Sequence, residues 1–444
     1  MAEIFDIVFK GGTVVNQNGE GLADVGIRDG RIRAIGDIGG ARAGETVDVC
    51  GLHVLPGVID TQVHFREPGM EHKEDLETGS RSAVLGGVTA VFEMPNTKPP
   101  TTNAEALAAK VAAGTNRMHC DFAFFVGATR ENAGDLGELE RLPGAAGVKI
   151  FAGSSTGDLL VEDEETLARV FATIRRRASI HSECESRLRE RLPIRREGDP
   201  SSHTEWRDEI AALASTEKLL RFARAAGTRI HILHLSTGVE MELLSHHKDV
   251  ASVEVTPQHL TLATPDAYER LGTRAQMNPP LRDRAHQDLL WWGLQQGVVD
   301  IIGSDHAPHT LDEKSGVYPA TPSGMPGVQT LVPIMLDHVN AARLTLARFV
   351  DLTSAAAQRL FGIAGKGRMA VGYDADLTIV DLKAERVIEN DWIGSKVGWT
   401  PFAGKTVKGW PVGTILRGHR AMWEGELDQA RGQAVRFGEA LPKA

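Results

Sequence analysis

The fold of this protein is decided by the stretch LHVLPGVIDTQVHFREPG, residues 52–69. Its first half is apolar and rich in β-branched residues, which predicts a buried strand, and its second half becomes polar where that strand would end. Alternate residues of a strand share one face, so we expect Asp60, Gln62, His64 and Arg66 on the same side. The stretch therefore predicts a strand whose end opens into a polar site.

Downstream of this stretch, apolar and β-branched runs recur along the chain. They lie at about 57–64, 88–94, 120–127, 146–151, 178–182, 229–235, 252–256 and 300–304, and most of the segments between them show helical spacing. Eight strands alternating with helices predict an α/β protein with a (β/α)8 TIM-type barrel, not an open doubly wound sheet. Because no G-x-G-x-x-G turn follows a strand, a dinucleotide-binding crevice is not expected.

The two ends of the chain have a different residue pattern from its middle. Residues 4–50 and the segment 368–418 consist of short alternating runs separated by turns, of which Asp29-Gly30 is a hairpin signal. We therefore expect one small β-sandwich domain formed from both termini. Its predicted boundaries are residues 1–55 together with 367–444, around a barrel of residues 56–366.

The composition excludes several classes of protein. A formal net charge of −10 argues against a nucleic-acid surface, which requires clustered Lys and Arg. No apolar run reaches the roughly 18 residues of a membrane helix, and the first residues lack the pattern of a signal peptide. The expectation is a cytoplasmic protein that contacts neither membrane nor nucleic acid. Cys50, Cys120 and Cys184 are too widely spaced to indicate a disulfide framework.

The predicted strand ends carry metal-ligand chemistry. Catalytic groups of a (β/α)8 barrel lie at the carboxyl ends of its strands. Any one polar residue there is more often structural, but imidazole and carboxylate groups at the ends of several strands favour a zinc site. The candidate ligands are Gln62, His64, Lys149, His181, His234 and Asp305. His231 is out of phase with His234 on a period-two strand, so we expect it to face the helices.

Five motifs carry a family resemblance over nearly the whole chain. They are HFREPG (64–69), EMPNT (93–97), MNPPLR (277–282), SDHAPH (304–309) and ADL (375–377). With this set the sequence resembles the cyclic amidases of the amidohydrolase superfamily and, among them, the dihydroorotases. The resemblance implies a metal-dependent hydrolase with a (β/α)8 barrel and a β-sandwich made from both termini, in agreement with the strand count.

The activity implied by this resemblance is reversible hydrolysis of the cyclic amide dihydroorotate to N-carbamoyl-L-aspartate, a step of pyrimidine biosynthesis. By the same resemblance, Lys149 would be carbamylated and bridge two zinc ions, and Asp305 would transfer the proton. The implied substrate-binding residues are Arg66, Asn96 and His309 for the carboxylate and Asn278 for the ring amide. Taken alone, Asn96 is equally well explained as a turn residue and Arg66 as part of a surface ion pair.

One position departs from the family pattern. The first strand of these amidases usually ends in His-x-His, whereas this sequence has Gln62-Val63-His64. A glutamine offers only a neutral carbonyl oxygen, so the metal position formed with His64 and Asp305 should bind more weakly, and one or two zinc ions are expected.

Three interpretations of the function remain open, and the third of them follows from this departure. The first is an active dihydroorotase; the second is another cyclic amidase, a hydantoinase or allantoinase. The third is a catalytically weak assembly partner of aspartate carbamoyltransferase. Because the other candidate ligands and the base are retained, the enzyme is favoured. It is expected to act on a small molecule and to form a homo-oligomer.

Overall fold

The computed structural model describes residues 4–154 and 159–438. Within these ranges the chain forms seventeen strands, which fall into two sheets. The strands are β1 (Ile4–Asn16), β2 (Gly19–Arg28), β3 (Arg31–Gly36), β4 (Arg42–Asp48), β5 (His53–Pro56), β6 (Val58–Val63), β7 (Val88–Glu93), β8 (Asp121–Gly127), β9 (Ala145–Phe151), β10 (Ala178–His181), β11 (Ile230–Ile232), β12 (Ala251–Val255), β13 (Ile301–Ile302), β14 (Leu377–Val387), β15 (Thr406–Leu416), β16 (His419–Trp423) and β17 (Glu426–Leu427).

Helices follow or separate the central strands. They are α1 (Leu76–Leu85), α2 (Ala104–Gly114), α3 (Leu136–Leu139), α4 (Glu164–Thr173), α5 (Glu185–Glu190), α6 (Ser202–Trp206), α7 (Glu209–Ala226), α8 (Gly238–Ser245), α9 (Pro257–Thr261), α10 (Asp266–Leu271), α11 (Arg284–Gln295), α12 (Leu311–Lys314), α13 (Leu331–Asn340), α14 (Leu346–Val350) and α15 (Ala356–Phe361). Short 3-10 turns lie at Leu192–Ile194, Gly272–Ala275 and Asn390–Trp392, and a π-helical turn, Asp351–Ala355, joins α14 to α15. None of the described helices combines the length and apolarity that crossing a membrane requires.

Local sequence explains where the longer helices begin. Asn103, Asp163, Asp208 and Asp283 each accept a hydrogen bond at the helix N-terminus from a backbone N–H three residues further on. Such side chains satisfy N–H groups that the first turn leaves without a partner. These caps fix the residue at which each of the four helices begins.

The central strands form the predicted barrel. Strands β6 to β13 are parallel and neighbour one another in sequence order, and a parallel bridge between Val63 and His306 brings the two edges together. The N–H of His64 also donates to the carbonyl of His306 at 2.8 Å. The (β/α)8 prediction is thereby confirmed, and its strand ends meet at one face.

The second sheet combines both ends of the chain. Its nine strands are β1–β5 and β14–β17, and β5 lies between β1 and β14. The composite origin of the β domain is thus confirmed, whereas the exact boundaries predicted from the sequence stay a prediction.

A buried cluster of charges joins this sheet to the barrel. The Nζ of Lys366 lies 2.6 Å from a carboxylate oxygen of Asp121, at the start of β8, and 2.6 Å from one of Asp376, directly before β14. Asp374 and Arg417 complete the cluster. The surrounding carboxylates hold the pKa of Lys366 far above its usual range despite its burial.

The expectation for His231 was wrong. Its neighbours Ile230 and Ile232 pack with the helix residues around the barrel, whereas the His231 ring contacts Glu254 and Ser252 of β12 and the edge of Phe361. His231 therefore faces the barrel interior. Strand β11 ends at Ile232, and His234 has a φ of +37°, so strict alternation does not continue to the end of this segment.

Candidate active site

A narrow polar cavity lies at the carboxyl ends of the barrel strands. Nine of the ten predicted site residues line it: Gln62, His64, Arg66, Asn96, Lys149, His181, His234, Asn278 and Asp305. The tenth, His309, lies beside Arg66. Asp60 does not line the cavity; its carboxylate instead accepts from the N–H of Ser304 and so helps to close the barrel. The cavity encloses about 20 Å³, about the space of one water.

Three of the residues in this site have an uncommon backbone conformation. Arg66, His234 and Asp305 have φ values of +66°, +37° and +44°. Left-handed backbone at residues other than glycine is costly and tends to be kept where it directs functional side chains. Here it turns three side chains into the cavity from the ends of three strand segments.

One group of side chains at the cavity is formed by Gln62, His64 and Asp305. Nδ1 of His64 lies 2.8 Å from Oδ1 of Asn96, which requires that this nitrogen carry the proton. Nε2 then presents its lone pair, yet it lies 3.2 Å from Oδ1 of Asp305. The amide of Gln62 donates to the same Asp305 oxygen at 3.0 Å, and its own carbonyl oxygen is buried without a partner among the described residues.

A second group is formed by His181 and His234. Nε2 of His181 donates to Glu183 at 2.8 Å, and Glu183 is itself held by a buried ion pair with Arg207. This contact leaves the lone pair of Nδ1 facing Nε2 of His234, 3.1 Å away. A carboxylate behind an imidazole is the usual support of a metal-binding histidine, because it sets the tautomer and the ring orientation.

Both groups fit a divalent cation. Burial lowers the pKa values of His64, His181 and His234, so all three rings are neutral and present lone pairs. Nδ1 of His234 is buried without a partner among the described residues, so the ring proton can lie there and leave Nε2 with a lone pair. A cation between that lone pair and Nδ1 of His181, or between Nε2 of His64 and Asp305, is then stabilised by both partners. In the described part of the chain no three His, Cys, Asp or Glu side chains form a ready metal cluster. The first group contains only two residues of these types, His64 and Asp305, together with Gln62. The second contains His181 and His234, and the further candidate ligand beside them is Lys149.

Lys149 is buried at the same cavity. Its Nζ lies 4.5 Å from the centre of the Phe151 ring, and burial lowers its pKa to about 7. Close by, Glu254 is fully buried near the end of β12 and accepts from the hydroxyl of Thr61 at 3.0 Å. Burial raises the pKa of Glu254 to about 8.

Arg66 forms the opposite wall. Its Nε donates to the carbonyl of Pro308 at 3.2 Å, and its Nη2 lies 3.3 Å from Nε2 of His309. His309 Nε2 also lies 3.0 Å from the carbonyl of Ser323, to which it donates. Burial lowers the pKa of Arg66 only to about 10, so the guanidinium is charged at neutral pH.

Comparison with known proteins agrees with this architecture. The profile described as "Amidohydrolase family" matches residues 53–421. The chain belongs to the amidohydrolase family. It is 37% identical to a dihydroorotase of Methanosarcina mazei, over 99% of this chain and 98% of that protein, and 38% identical to one of Halobacterium salinarum, over 92% and 96%. An allantoinase of Rubrobacter xylanophilus is 37% identical over 95% of both chains. The solved L-hydantoinase of Arthrobacter aurescens superposes with a TM-score of 0.91 at 29% identity, over 97% of this chain and 99% of that one.

These comparisons confirm an amidohydrolase enzyme on a (β/α)8 barrel, as the five motifs predicted. Relatives of similar identity carry different names, however, so identity alone does not choose the substrate of this amidohydrolase.

Several residues that support the amidohydrolase site were not predicted. Glu183 orients His181, Glu254 is buried beside the site, and Lys73 lies 3.1 Å from Nδ1 of His309. Glu254 had a sequence signal, because it interrupts the apolar run of β12 in phase with the barrel interior. Lys73 and Glu183 lie in polar segments, where nothing in the local pattern distinguishes them from surface residues.

Proposed function

We propose that this amidohydrolase is a dihydroorotase, which reversibly hydrolyses the cyclic amide of dihydroorotate to N-carbamoyl-L-aspartate. The observation that carries the proposal is the environment of Arg66. Its side chain is 1% exposed and lines the cavity, yet within residues 4–154 and 159–438 no carboxylate forms an ion pair with it. A buried charge without a counter-charge is costly, so the site favours a ligand that brings an anion.

The guanidinium of Arg66 indicates which kind of anion the ligand should carry. Its planar fork matches the two oxygens of a carboxylate, and dihydroorotate carries one carboxylate next to its cyclic amide. Hydantoin and allantoin lack that group. Arg66 thus favours dihydroorotate over the rings named in the allantoinase and hydantoinase relatives.

The proposed metal is zinc, held by His181, His234 and Lys149 at one position and by His64, Asp305 and Gln62 at the other. When bound, zinc supplies acidification of water and polarisation of the amide carbonyl. Asp305 takes the proton of the attacking water on its carboxylate and transfers it to the leaving ring nitrogen. His64 and Gln62 both contact Oδ1 of Asp305, and these contacts orient the carboxylate in the cavity where the substrate ring would bind.

Lys149 is proposed to be carbamylated. An ammonium group is a poor neighbour for metal ions, whereas a carbamate, formed when the neutral amine adds CO2 and releases a proton, would supply two anionic oxygens as ligands. The burial of Lys149 in the cavity wall that also holds His181 and His234 supports this assignment.

The second metal position is proposed to be the weaker one. Gln62 presents its amide nitrogen to Asp305, and its neutral oxygen is a poorer ligand than imidazole. We also propose a cytoplasmic homo-oligomer. An assembly role with aspartate carbamoyltransferase is compatible with this activity, because the ligand types and Asp305 are retained.

The test compares substrates on the zinc-loaded enzyme. We expect turnover of dihydroorotate, and a loss of at least about 100-fold in kcat/KM for Arg66→Met, because a charge-assisted bidentate contact is removed. Arg66→Lys, which keeps the charge but not the fork, should recover part of the loss. Turnover of hydantoin or allantoin without dihydroorotate would assign another cyclic amidase, and absence of any turnover with full metal content would favour the assembly role.

A further inference from the structure

A second cavity lies on the opposite face of the barrel, at the amino-terminal ends of its strands. It encloses about 610 Å³ and is bounded by the residues that precede β10 and β11, by the end of α15 and by Phe437. Its lining contains five arginines: Arg175, Arg176, Arg177, Arg229 and Arg359. Within residues 4–154 and 159–438 no carboxylate side chain lines it, and the Glu140 carboxylate beside it accepts the backbone N–H groups of Arg175 and Arg176.

This concentration of positive charge is unusual for a chain whose formal net charge is −10. Among the described residues, Arg359 pairs with Asp351, whereas the other four guanidinium groups make no ion pair. Arg176 and Arg177 donate instead to the backbone carbonyls of Ala145 and Ile230. Unpaired like charges gathered around one space repel each other and are stabilised by an anion.

Arg177 is held most firmly. Its Nη1 donates to the Ile230 carbonyl at 2.9 Å, and its Nε is buried without a hydrogen-bond partner in the described structure. Burial lowers the pKa of Arg177 to about 10; of its charged neighbours, Asp300 opposes this shift and Arg229 adds to it. Arg177 directly precedes β10 and Arg229 directly precedes β11, so the barrel fixes the backbone positions of both arginines.

The remaining walls are apolar. Ile174, Phe361 and Phe437 line the same cavity, and the guanidinium of Arg176 lies 5.2 Å from the centre of the Phe437 ring. The volume falls in the range of cavities that bind small organic ligands. Guanidinium groups recognise phosphate through paired hydrogen bonds, and several of them suit a ligand with more than one negative charge.

We propose that this cavity binds an organic phosphate of about nucleotide size, with the phosphate on the arginines and the organic part on the apolar wall. The site lies at the opposite ends of the strands from His181 and His234. Its ligand therefore does not compete with the substrate, and the proposal does not rest on the proposed function.

The experiment is calorimetric titration of the zinc-loaded enzyme with AMP and with inorganic phosphate at low and at physiological salt. We expect one AMP per chain, weaker binding at higher salt, and tighter binding of AMP than of phosphate, since only AMP reaches the apolar wall. Arg66→Met, which alters the other cavity, should bind AMP as the unmodified enzyme does. Absence of saturable AMP binding up to millimolar concentration would overturn the proposal, as would loss of AMP binding in Arg66→Met.

Variants distinguish AMP binding at this cavity from nonspecific electrostatic attraction of AMP to surface arginines. Arg177→Gln with Arg229→Gln should weaken AMP binding at least tenfold, and Arg229→Gln alone, at an exposed side chain, should weaken it with no effect on folding. The matched control is Arg221→Gln with Arg284→Gln, two arginines that are 70% and 71% exposed and outside the cavity. Equal weakening by the control pair would overturn the proposal.

One further variant addresses a competing occupant. In the sequence, residues 439–444 follow the cavity-lining Gly438 and include an acidic residue, Glu439. A chain ending at Gly438 should bind AMP with unchanged affinity. Binding that occurs only in the shortened chain would assign the cavity to residues 439–444 and overturn the proposal.

Discussion

Nζ of Lys73 lies 3.1 Å from Nδ1 of His309, and this contact sets the hydrogen bonding beside Arg66. The ammonium group donates to Nδ1, so the proton of the neutral imidazole is on Nε2, which faces Ser323 and Arg66. Burial together with the charges of Arg66 and Lys73 lowers the pKa of His309 to about 3, so the ring is neutral across the working range. Lys73 is anchored in turn by Glu313 at 3.0 Å.

We therefore predict that Lys73→Met impairs substrate binding more than chemistry. Loss of the donor frees the His309 tautomer and reduces the positive potential at the carboxylate site, which should raise KM about tenfold at nearly constant kcat. Steady-state kinetics on dihydroorotate measure this split. Lys383→Met, at an exposed lysine of β14, is the matched control. A fall in kcat with unchanged KM would contradict the interpretation.

Gln62 offers a test at the proposed metal position, where the sequence departs from the family pattern. We predict that Gln62→His raises metal content per chain, because imidazole replaces an amide beside His64 and Asp305. Elemental analysis after dialysis against limiting zinc measures the effect. Gln62→Leu should lower the content, and metal content unchanged in both variants would show that Gln62 is not a ligand.

Glu183 should act on metal affinity through His181. Replacing it by Gln removes the carboxylate that orients the ring, and we predict a loss of about 10- to 100-fold in zinc affinity, measured by competition with a chelator. The same change leaves Arg207 buried without its partner, which also lowers stability. The double variant Glu183→Gln with Arg207→Met should regain stability but not zinc affinity. Recovery of both would assign Glu183 a purely structural role.

Lys366 should contribute to stability where the barrel joins the composite sheet. We predict that Lys366→Met lowers the free energy of unfolding by about 3–5 kcal/mol, because buried carboxylates of Asp121 and Asp376 lose their counter-charge. Denaturant unfolding measures the loss. Lys405→Met, which breaks a partly exposed pair with Asp337, should change stability by less than about 1 kcal/mol.

The loss of unfolding free energy in Lys366→Met should change with pH in a definite direction. Lys366 and Arg417 lower the pKa of Asp121, so in the unmodified protein this group stabilises the fold above its unfolded pKa, and the effect is lost as pH falls. Without Lys366 the pKa of Asp121 rises, and the folded state binds protons more readily than the unfolded one. The deficit of Lys366→Met should therefore be larger at pH 8 than at pH 5. A deficit that shrinks as pH rises would contradict this account.

Local pattern explains why much of the site was predictable. A parallel barrel brings the carboxyl ends of its strands to one face, so His64, Lys149, His181, His234 and Asp305 could be placed together from spacing alone. The same reasoning failed at His231, because alternation is lost where the backbone of His234 turns to a positive φ. Strand patterns do not encode such local turns.

The sequence by itself determined the eight-stranded barrel, the composite β domain and the chemical types of the side chains at the strand ends, since periodicity and residue chemistry are local properties. Only the tertiary structure determined the hydrogen-bond partners and the burial of these side chains. His309 lies 243 residues beyond Arg66 and 236 beyond Lys73, and Gln62 meets Asp305 across the closing edge of the barrel. The same holds for the arginine cavity, whose members come from separate turns at the opposite face. Hydrogen bonds and burial depend on distances of a few ångströms between remote segments, and these arise only once the barrel has closed.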